Sequence, residues 1–275
     1  MSIRASIPLL AVGALLLIGS PSASAAEPGC GLQSTGGTIT RQLDGRSYLL
    51  HVPAGLQGEE VPLLLSLHGF GANGSIEEQY TGWSGFADTN NFIVAYPNGQ
   101  GSGSYAWDPY STTSPDVQFL RNVVDDIAAT WCVNPQRVHA DGWSNGAVMS
   151  QRVACNAADK FASVTSYGGG TPAFPGSAGC TPSRPISVGL FAGQWDFTYA
   201  GLGQNTSQWV GINGCGATPV KTTDQYGTTS TYSCAAGTAV LSRVVKNTSH
   251  NWPFGAQAED QRSRMWSFLM ANPKP

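Results

Sequence analysis

Charged side chains are scarce in this sequence, which has 14 Lys and Arg and 17 Asp and Glu among its 275 residues. The formal net charge is −3, and the sequence contains neither a basic stripe nor a polybasic run. The charge pattern therefore excludes the usual means of holding nucleic acid or an anionic membrane surface. Internal repeats and a linker of biased composition are also missing, which favours one domain over a string of modules.

Long apolar runs are missing too, except at the N-terminus. There, residues 7–18 form an uncharged apolar segment behind Arg4, and Ala23-Ser24-Ala25 supplies the small residues of a signal peptidase site. The segment is shorter than the roughly 20 residues of a comfortable membrane span. We therefore predict a signal peptide over 1–25 and a single secreted domain over 26–275. After cleavage, a monomer without membrane attachment is expected.

Cysteines in C-x-x-C pairs are absent, so a metal site is not expected. The chain nevertheless contains six cysteines, and the oxidising compartments that receive exported proteins permit disulfides. The sequence by itself does not choose among the many possible connectivities. Proximity along the chain favours Cys155–Cys180 and Cys215–Cys234, which leaves Cys30–Cys132.

Short runs rich in β-branched residues alternate with helical patterns along the chain. Strands are predicted at 47–52, 61–67, 92–96, 137–140, 186–191 and 239–246, and helices at 117–131, 147–154 and 258–270. Segment 61–67 is almost wholly apolar, as is typical of a central strand. This alternation predicts the α/β class, with a mostly parallel sheet covered by helices on both faces. The stretch between Cys215 and Cys234 is interpreted as an excursion closed by a disulfide.

Gly142-Trp143-Ser144-Asn145-Gly146 fits the pattern G-x-S-x-G. In a nucleophile elbow, this pattern places a serine on a strained turn between a strand and a helix. The bare pattern is weak in a chain so rich in glycine and serine, but a predicted strand precedes it and a predicted helix follows it. Ser144 is therefore the candidate nucleophile.

A serine hydroxyl needs a base and an orienting acid, which follow an elbow serine in the order acid, then histidine. Of the four histidines, only His250 comes after Ser144. Asp159, Asp196 and Asp224 are candidates for the acid. Asp196 follows the predicted strand 186–191, and open α/β sheets present reactive groups at the carboxyl ends of their strands. We therefore predict His250 as the base and Asp196 as the acid.

Acyl transfer also needs hydrogen-bond donors for the oxyanion that develops on the carbonyl oxygen. The backbone N–H of Asn145, the residue after the nucleophile, is one candidate. The other is the N–H of Phe70, in the glycine-containing segment His68-Gly69-Phe70-Gly71 after strand 61–67. The His68 side chain itself is expected to hold this segment rather than to act as a base.

The elbow, residues 68–71, residues 193–196 and Ser249-His250-Asn251-Trp252-Pro253 together carry a family resemblance. From about Gly31 to its last helix, the chain resembles the feruloyl esterase and polyhydroxybutyrate depolymerase-like carboxylesterases, which include members of carbohydrate esterase family 1. The resemblance implies an α/β-hydrolase fold and the triad Ser144, Asp196 and His250. No cofactor is expected, because a triad with an oxyanion hole performs acyl transfer unaided. Family members often have His-Gly where this chain has Ala192-Gly193, and glycines where it has Thr248-Ser249.

Tryptophans lie close in sequence to the proposed machinery, and Trp195, Trp252 and Trp107 are predicted to bind substrate. Aromatic rings and the resemblance favour a feruloyl or related plant cell-wall ester. A polyester such as polyhydroxybutyrate is the alternative, although the chain ends soon after its last helix, without the polymer-binding domain common in dedicated depolymerases. An inactive, hydrolase-like binding protein is the alternative of another class, and a peptidase shares the triad chemistry.

Overall fold

A ten-stranded sheet forms the centre of the structure, a computed structural model that describes residues 1–2, 30–102, 104–169 and 179–275. The rest of the predicted signal peptide, 3–25, lies outside the described residues. The strands are β1 (Gly37–Leu43), β2 (Arg46–Val52), β3 (Val61–Leu67), β4 (Ile93–Pro97), β5 (Gln100–Gly101), β6 (Tyr105–Ala106), β7 (Val133–Gly142), β8 (Ser163–Tyr167), β9 (Ser187–Gly193), β10 (Val220–Thr223), β11 (Gly227–Ser233) and β12 (Ala239–Val245). Strands β5 and β6 form a separate hairpin.

The central strands run parallel in the order β4-β3-β7-β8-β9-β12. Antiparallel strands extend both edges, with β2 and β1 beside β4, and β11 and β10 beside β12. The predicted α/β class with a mostly parallel sheet is confirmed. Reactive groups on the loops that follow the parallel strands therefore meet at one end of the sheet.

Helices cover both faces of this sheet, because alternate residues of its strands point to opposite sides. Leu63, Leu65 and Leu67 of β3 enter one core cluster, whereas Leu64 enters the other. The helices are α1 (Gly74–Thr81), α2 (Trp83–Asn90), α3 (Pro115–Ala128), α4 (Asn145–Asn156), α5 (Tyr199–Ile212) and α6 (Gly255–Ala271). The first cluster includes residues of α3, α4 and α5, and the second includes residues of α2 and α6. Each face of the sheet thus has its own apolar core.

Three disulfides join Cys30 to Cys132, Cys155 to Cys180 and Cys215 to Cys234. These are the pairs that proximity along the chain favours, and no cysteine of the described residues is free. The Cys215–Cys234 bridge closes the segment that carries β10 and β11, so the predicted excursion is an extension of the central sheet. Within the same described part of the chain, no helix is both long and apolar enough to span a bilayer.

Candidate active site

The turn between β7 and α4 has the geometry of a nucleophile elbow. Ser144 lies there with φ 56° and ψ −115°, a conformation that a residue with a Cβ adopts only under strain. Its N–H donates to the carbonyl of Tyr167 on β8 at 2.9 Å, and the N–H of Trp143 donates to Leu67 on β3 at 3.1 Å. The two neighbouring strands therefore hold the strained turn in place.

Ser144, His250 and Asp196 form a continuous hydrogen-bonded chain, although they lie far apart in the sequence. His250 Nε2 is 2.8 Å from Ser144 Oγ. His250 Nδ1 is 2.9 Å and 3.0 Å from the two carboxylate oxygens of Asp196. Because the carboxylate can only accept, it fixes the proton on Nδ1 and leaves Nε2 free to accept the serine proton. This is the geometry that nucleophilic catalysis by a serine requires.

Asp196 is buried, and several donors surround it. The Thr198 N–H and hydroxyl both donate to its Oδ1 at 2.8 Å, while His250 donates through Nδ1. Burial alone would raise the pKa of Asp196, but the hydrogen bonds from His250 and Thr198 outweigh burial and lower it. The carboxyl group therefore stays ionised and can stabilise a protonated imidazole.

The other acidic candidates lie elsewhere. Asp159 forms an ion pair with Arg121 on the surface, and Asp224 pairs with the buried Arg243 at the β10–β11 turn. The sequence criterion that separated Asp196 from these two was its place after a parallel strand. The structure is consistent with that criterion, since Asp196 follows the end of β9 at Gly193.

The segment after β3 passes directly against the elbow. A Cβ built on Gly69 would lie 2.6 Å from the Trp143 ring and 3.5 Å from Ser144 Cβ, so only glycine allows this approach. His68 is buried; its Nδ1–H donates to the Gly69 carbonyl at 2.8 Å, and its Nε2 accepts from the Gly99 N–H at 2.9 Å. Burial lowers the pKa of His68 to about 4, so the ring remains neutral.

The contacts around the elbow leave the backbone N–H groups of the two predicted oxyanion donors unpaired in the part of the chain that the structure describes. Within the described residues, the backbone N–H groups of Phe70 and Asn145 have no hydrogen-bond partner. The Asn145 side chain instead accepts from the Trp107 N–H at 2.8 Å and donates to the Trp107 carbonyl at 3.2 Å. The role of Phe70 and Asn145 as an oxyanion hole remains a proposal that this arrangement supports.

Two of the predicted substrate-binding tryptophans are core residues. Trp252 is 1% exposed and packs edge-on against Tyr167 at 5.4 Å, so its ring lies inside the sheet–helix core despite its proximity to His250 in sequence. Trp107 is 4% exposed, and its indole N–H donates to the His68 carbonyl at 3.0 Å. The structure corrects both predictions, because neither ring is open to a ligand. Trp195 is 65% exposed beside Asp196 and remains a candidate.

Phe197 is the aromatic neighbour of the site that the sequence pattern did not single out. Its ring centroid is 4.2 Å from that of His250, and the residue is 76% exposed. Gly168 was also missed; with φ +70°, its missing Cβ leaves room for His250 Cε1, which a Cβ would approach to 3.1 Å. The position of Phe197 directly after the candidate acid is a sequence signal that could have identified it.

Within the described residues, no group of three or more His, Cys, Asp or Glu could hold a metal ion. A Ser–His–Asp chain on an elbow at the carboxyl end of a parallel sheet defines the class instead. The chain has the α/β-hydrolase fold, with the residue order Ser, Asp, His that is characteristic of it.

Relatives of this chain bear the names of both groups in the predicted resemblance, although no family model matches it. Feruloyl esterase B of Piromyces equi is 27% identical over 247 residues, which cover 82% of this chain and 45% of that protein. A probable feruloyl esterase C of Aspergillus niger is 27% identical and covers 96% of both chains. Poly(3-hydroxyalkanoate) depolymerase C of Paucimonas lemoignei is 27% identical over 62% of this chain and 49% of its own length. The resemblance is thereby confirmed, although the chain spans less than half of the first of these relatives.

Solved structures support the fold assignment. Acetyl xylan esterase from Aspergillus awamori superposes with a TM-score of 0.65 at 17% identity, over 86% of this chain and 100% of that chain. A feruloyl esterase module from Clostridium thermocellum in complex with sinapinate gives a TM-score of 0.62 at 13% identity, over 90% and 92%. At such identities the likeness establishes the α/β-hydrolase fold, whereas function has to be argued from the site.

Proposed function

We propose that this protein is a serine carboxylic-ester hydrolase with Ser144 as nucleophile, His250 as general base and Asp196 as the acid that orients the histidine. The observation that carries the proposal is the distance of 2.8 Å between His250 Nε2 and Ser144 Oγ, together with the contact of both Asp196 oxygens with Nδ1. This arrangement activates a hydroxyl that is otherwise a poor nucleophile.

In the acylation step, His250 Nε2 takes the Ser144 proton while Oγ forms a bond to the ester carbonyl carbon. The carbonyl π electrons move onto oxygen, where the Phe70 and Asn145 N–H groups would stabilise the negative charge. The C–O bond to the alcohol then breaks, and His250 returns its proton to the departing alkoxide. The products of this step are a free alcohol and an acyl ester on Ser144.

In the deacylation step, water takes the place of the alcohol. His250 accepts a proton from water as the oxygen attacks the acyl carbon, and the same two N–H groups receive the oxyanion. Collapse of the intermediate breaks the bond to Ser144 Oγ, which recovers the proton from His250. The carboxylic acid leaves, and the enzyme returns to its starting protonation state.

A feruloyl or related ester of the plant cell wall is the substrate class that we favour. Exposed aromatic rings flank the candidate acid, with Trp195 before it and Phe197 after it, and rings stack on an aromatic acyl group. Two of the compared relatives are named as feruloyl esterases. This chain spans less than half of the first of them.

A polyester of the polyhydroxybutyrate type is the second candidate. One relative is named as a poly(3-hydroxyalkanoate) depolymerase. Two further exposed aromatic rings lie on the loops around the site. Phe70 follows β3, and Phe254 lies at the end of the His250 loop. Such uncharged rings would suit an apolar polymer as well as a single aromatic acid.

Secretion is part of the proposal. The disulfides of the described residues need an oxidising compartment such as the cell exterior. The N-terminal sequence offers the signal for export that such a destination requires.

The test is hydrolysis of p-nitrophenyl acetate, methyl ferulate and amorphous polyhydroxybutyrate by the wild type and by Ser144→Ala. We expect the substitution to lower kcat by about five orders of magnitude, because the nucleophile is lost. Ser207→Ala is the matched control, since Ser207 is exposed on α5 and bonds only within its own helix at Gly203. Ester hydrolysis that survives in Ser144→Ala would refute the assignment, and cleavage of the polymer without methyl ferulate would reverse the order of substrates.

A further inference from the structure

The peptide group that joins Asn251 to Trp252, just beyond His250, is held by two tyrosine hydroxyls. Tyr167 Oη donates to the Asn251 carbonyl at 3.0 Å. The Trp252 N–H donates to Tyr80 Oη at 2.9 Å. Because the C=O and N–H of a trans peptide point in opposite directions, the two hydroxyls hold this group from opposite sides.

The two tyrosines come from elements that also support the elbow. Tyr167 ends β8, and its carbonyl accepts the Ser144 N–H at 2.9 Å. Tyr80 lies on α1, and its ring is 5.0 Å from the Trp143 ring, which in turn lies 5.6 Å from the His250 ring. The two tyrosine hydroxyls, called the clamp below, therefore connect the loop of the candidate base to Trp143 and Ser144 of the elbow.

A third contact holds the opposite side of the His250 loop. The Trp195 N–H donates to the Thr248 carbonyl at 2.9 Å, one residue before the acid Asp196. His250 itself is partly open, with 21% of its side chain exposed. The backbone contacts at Thr248 and at the Asn251–Trp252 peptide therefore act together with the hydrogen bonds to Asp196 in fixing its direction.

From this geometry, and resting on the proposed function, we infer that Tyr80 and Tyr167 are positioning residues for catalysis. Through the Asn251–Trp252 peptide, they keep His250 Nε2 aimed at Ser144 Oγ. Neither hydroxyl touches the reacting atoms. Loss of either one leaves a backbone group of this peptide without its partner and lets the loop shift. A displacement of about 1 Å at a catalytic group can cost on the order of a hundredfold in rate.

The test compares Tyr80→Phe, Tyr167→Phe and the double variant with the wild type, on p-nitrophenyl acetate. Active sites are titrated with a fluorophosphonate, so that kcat refers to folded, competent enzyme. We expect each single variant to lose roughly tenfold in kcat while KM changes by less than about twofold, since substrate contacts are untouched. In the double variant, the losses should not add in log kcat, because both hydroxyls act on one peptide group.

Tyr96→Phe is the matched control, because Tyr96 is fully buried and its hydroxyl contacts Ser84 at 2.8 Å. Its kcat per titrated site should equal that of the wild type even if its thermal midpoint falls. The NMR resonance of the proton between His250 Nδ1 and Asp196 gives a second readout. It should shift or broaden in the Tyr80 and Tyr167 variants and stay unchanged in Tyr96→Phe.

The outcomes separate this inference from the proposed function. A wild type that hydrolyses no ester would refute the proposed function. An active wild type whose two tyrosine variants keep full kcat per titrated site and an unchanged resonance would refute the clamp alone. Should Tyr167→Phe fail to fold, Tyr80→Phe decides, since Tyr80 is only half-buried and its substitution removes a single acceptor.

Discussion

Phe197 is the residue best placed to affect the choice of substrate without taking part in proton transfer. Its ring lies tilted over the His250 imidazole, with 4.2 Å between the ring centroids, yet 76% of the residue is exposed. One side of the ring therefore covers the candidate base, while the rest is open to a ligand. A ligand ring would find there a partner of the kind that contributes about 0.5–1.5 kcal/mol beyond area burial.

Phe197→Ala should raise KM for methyl ferulate by about 2- to 12-fold, the equivalent of that stacking energy. The KM for methyl butyrate, which has no ring, should stay within about twofold. Initial rates in a pH-stat measure both esters in the same way. An equal loss on the two substrates would mean that Phe197 supports His250 rather than an aromatic acyl group.

Phe254→Ala is the control for this substitution. Phe254 is 73% exposed and follows the His250 loop, but no ring contact joins it to His250 within the described residues. Its replacement removes the same area of exposed aromatic surface without uncovering the imidazole. We expect the ratio of the two KM values to remain that of the wild type.

The elbow is the element whose backbone leaves least freedom to the sequence. A Cβ on Gly146 would lie 1.9 Å from the Leu67 carbonyl oxygen of β3, and one on Gly142 would lie 2.3 Å from the Gly146 carbonyl oxygen. Both clashes are with backbone, which cannot rotate away as a side chain can. The glycines of the G-x-S-x-G pattern are therefore required by the close approach of α4 to β3 as well as by the strained turn.

Gly146→Ala should therefore prevent folding or lower the thermal midpoint strongly, because α4 would have to move away from β3. Gly203→Ala is the matched control within a helix, since a Cβ there meets nothing within 4 Å. That substitution should stabilise α5 by about 0.5–1 kcal/mol. Circular dichroism melts of the two variants check both expectations. A Gly146→Ala protein that melts like the wild type would contradict the close approach.

Elements with an apolar signature could be predicted from the sequence, and those without one could not. Strand β3 was predicted with its observed bounds, and β12 to within one residue, because both are rich in Val and Leu. Strand β8, Ser-Val-Thr-Ser-Tyr, is fully buried and was missed. The hydroxyls of Ser163 and Ser166 find partners only in the folded protein, with His139 at 2.9 Å and Gln151 at 3.0 Å. Strand β11, which lies between β12 and the edge strand β10, was missed because its Thr and Ser residues show no apolar alternation.

Across the whole molecule, the least expected electrostatic feature is a pair of buried acids beneath the elbow. Asp141 at the end of β7 and Glu77 on α1 are both buried. The Trp83 indole N–H donates to Asp141 at 2.8 Å, and the Ser66 hydroxyl donates to Glu77 at 3.2 Å. Burial raises the pKa of Asp141 to about 7, and burial together with the charge of Asp141 raises that of Glu77 well above its usual value.

This pair should make the protein less stable as the pH rises. In the unfolded chain Asp141 loses its proton near its ordinary pKa of about 4, but in the folded protein it does so only near 7. Between these values the folded state binds the extra proton, so stability is full below about pH 4 and falls as the pH rises toward 7. In the neutral variant Asp141→Asn, this fall in stability should be smaller. Its thermal midpoint should differ less from that of the wild type at pH 5 than at pH 8, and at pH 8 the variant should be the more stable protein.

Thermal midpoints of both proteins from pH 4 to pH 9 measure this dependence. Glu259→Gln, on the exposed surface of α6, is the control and should change the pH dependence little. The same fall with pH in wild type and Asp141→Asn would show that Asp141 keeps its charge in the folded state. Some pH dependence should persist in Asp141→Asn, because Glu77 remains buried.

The sequence by itself determined the class of fold, the elbow and the order of the candidate triad, because these depend on local patterns and on chain topology. Only one histidine follows Ser144, and only one acid follows a predicted parallel strand between them. The tertiary structure decided which aromatic rings face the site: Trp252 packs inward, whereas Phe197 lies over His250. It also decided the clamp on the His250 loop and the burial of Asp141 with Glu77. Such contacts join residues distant in the chain, and only the packing of helices on the sheet brings them together.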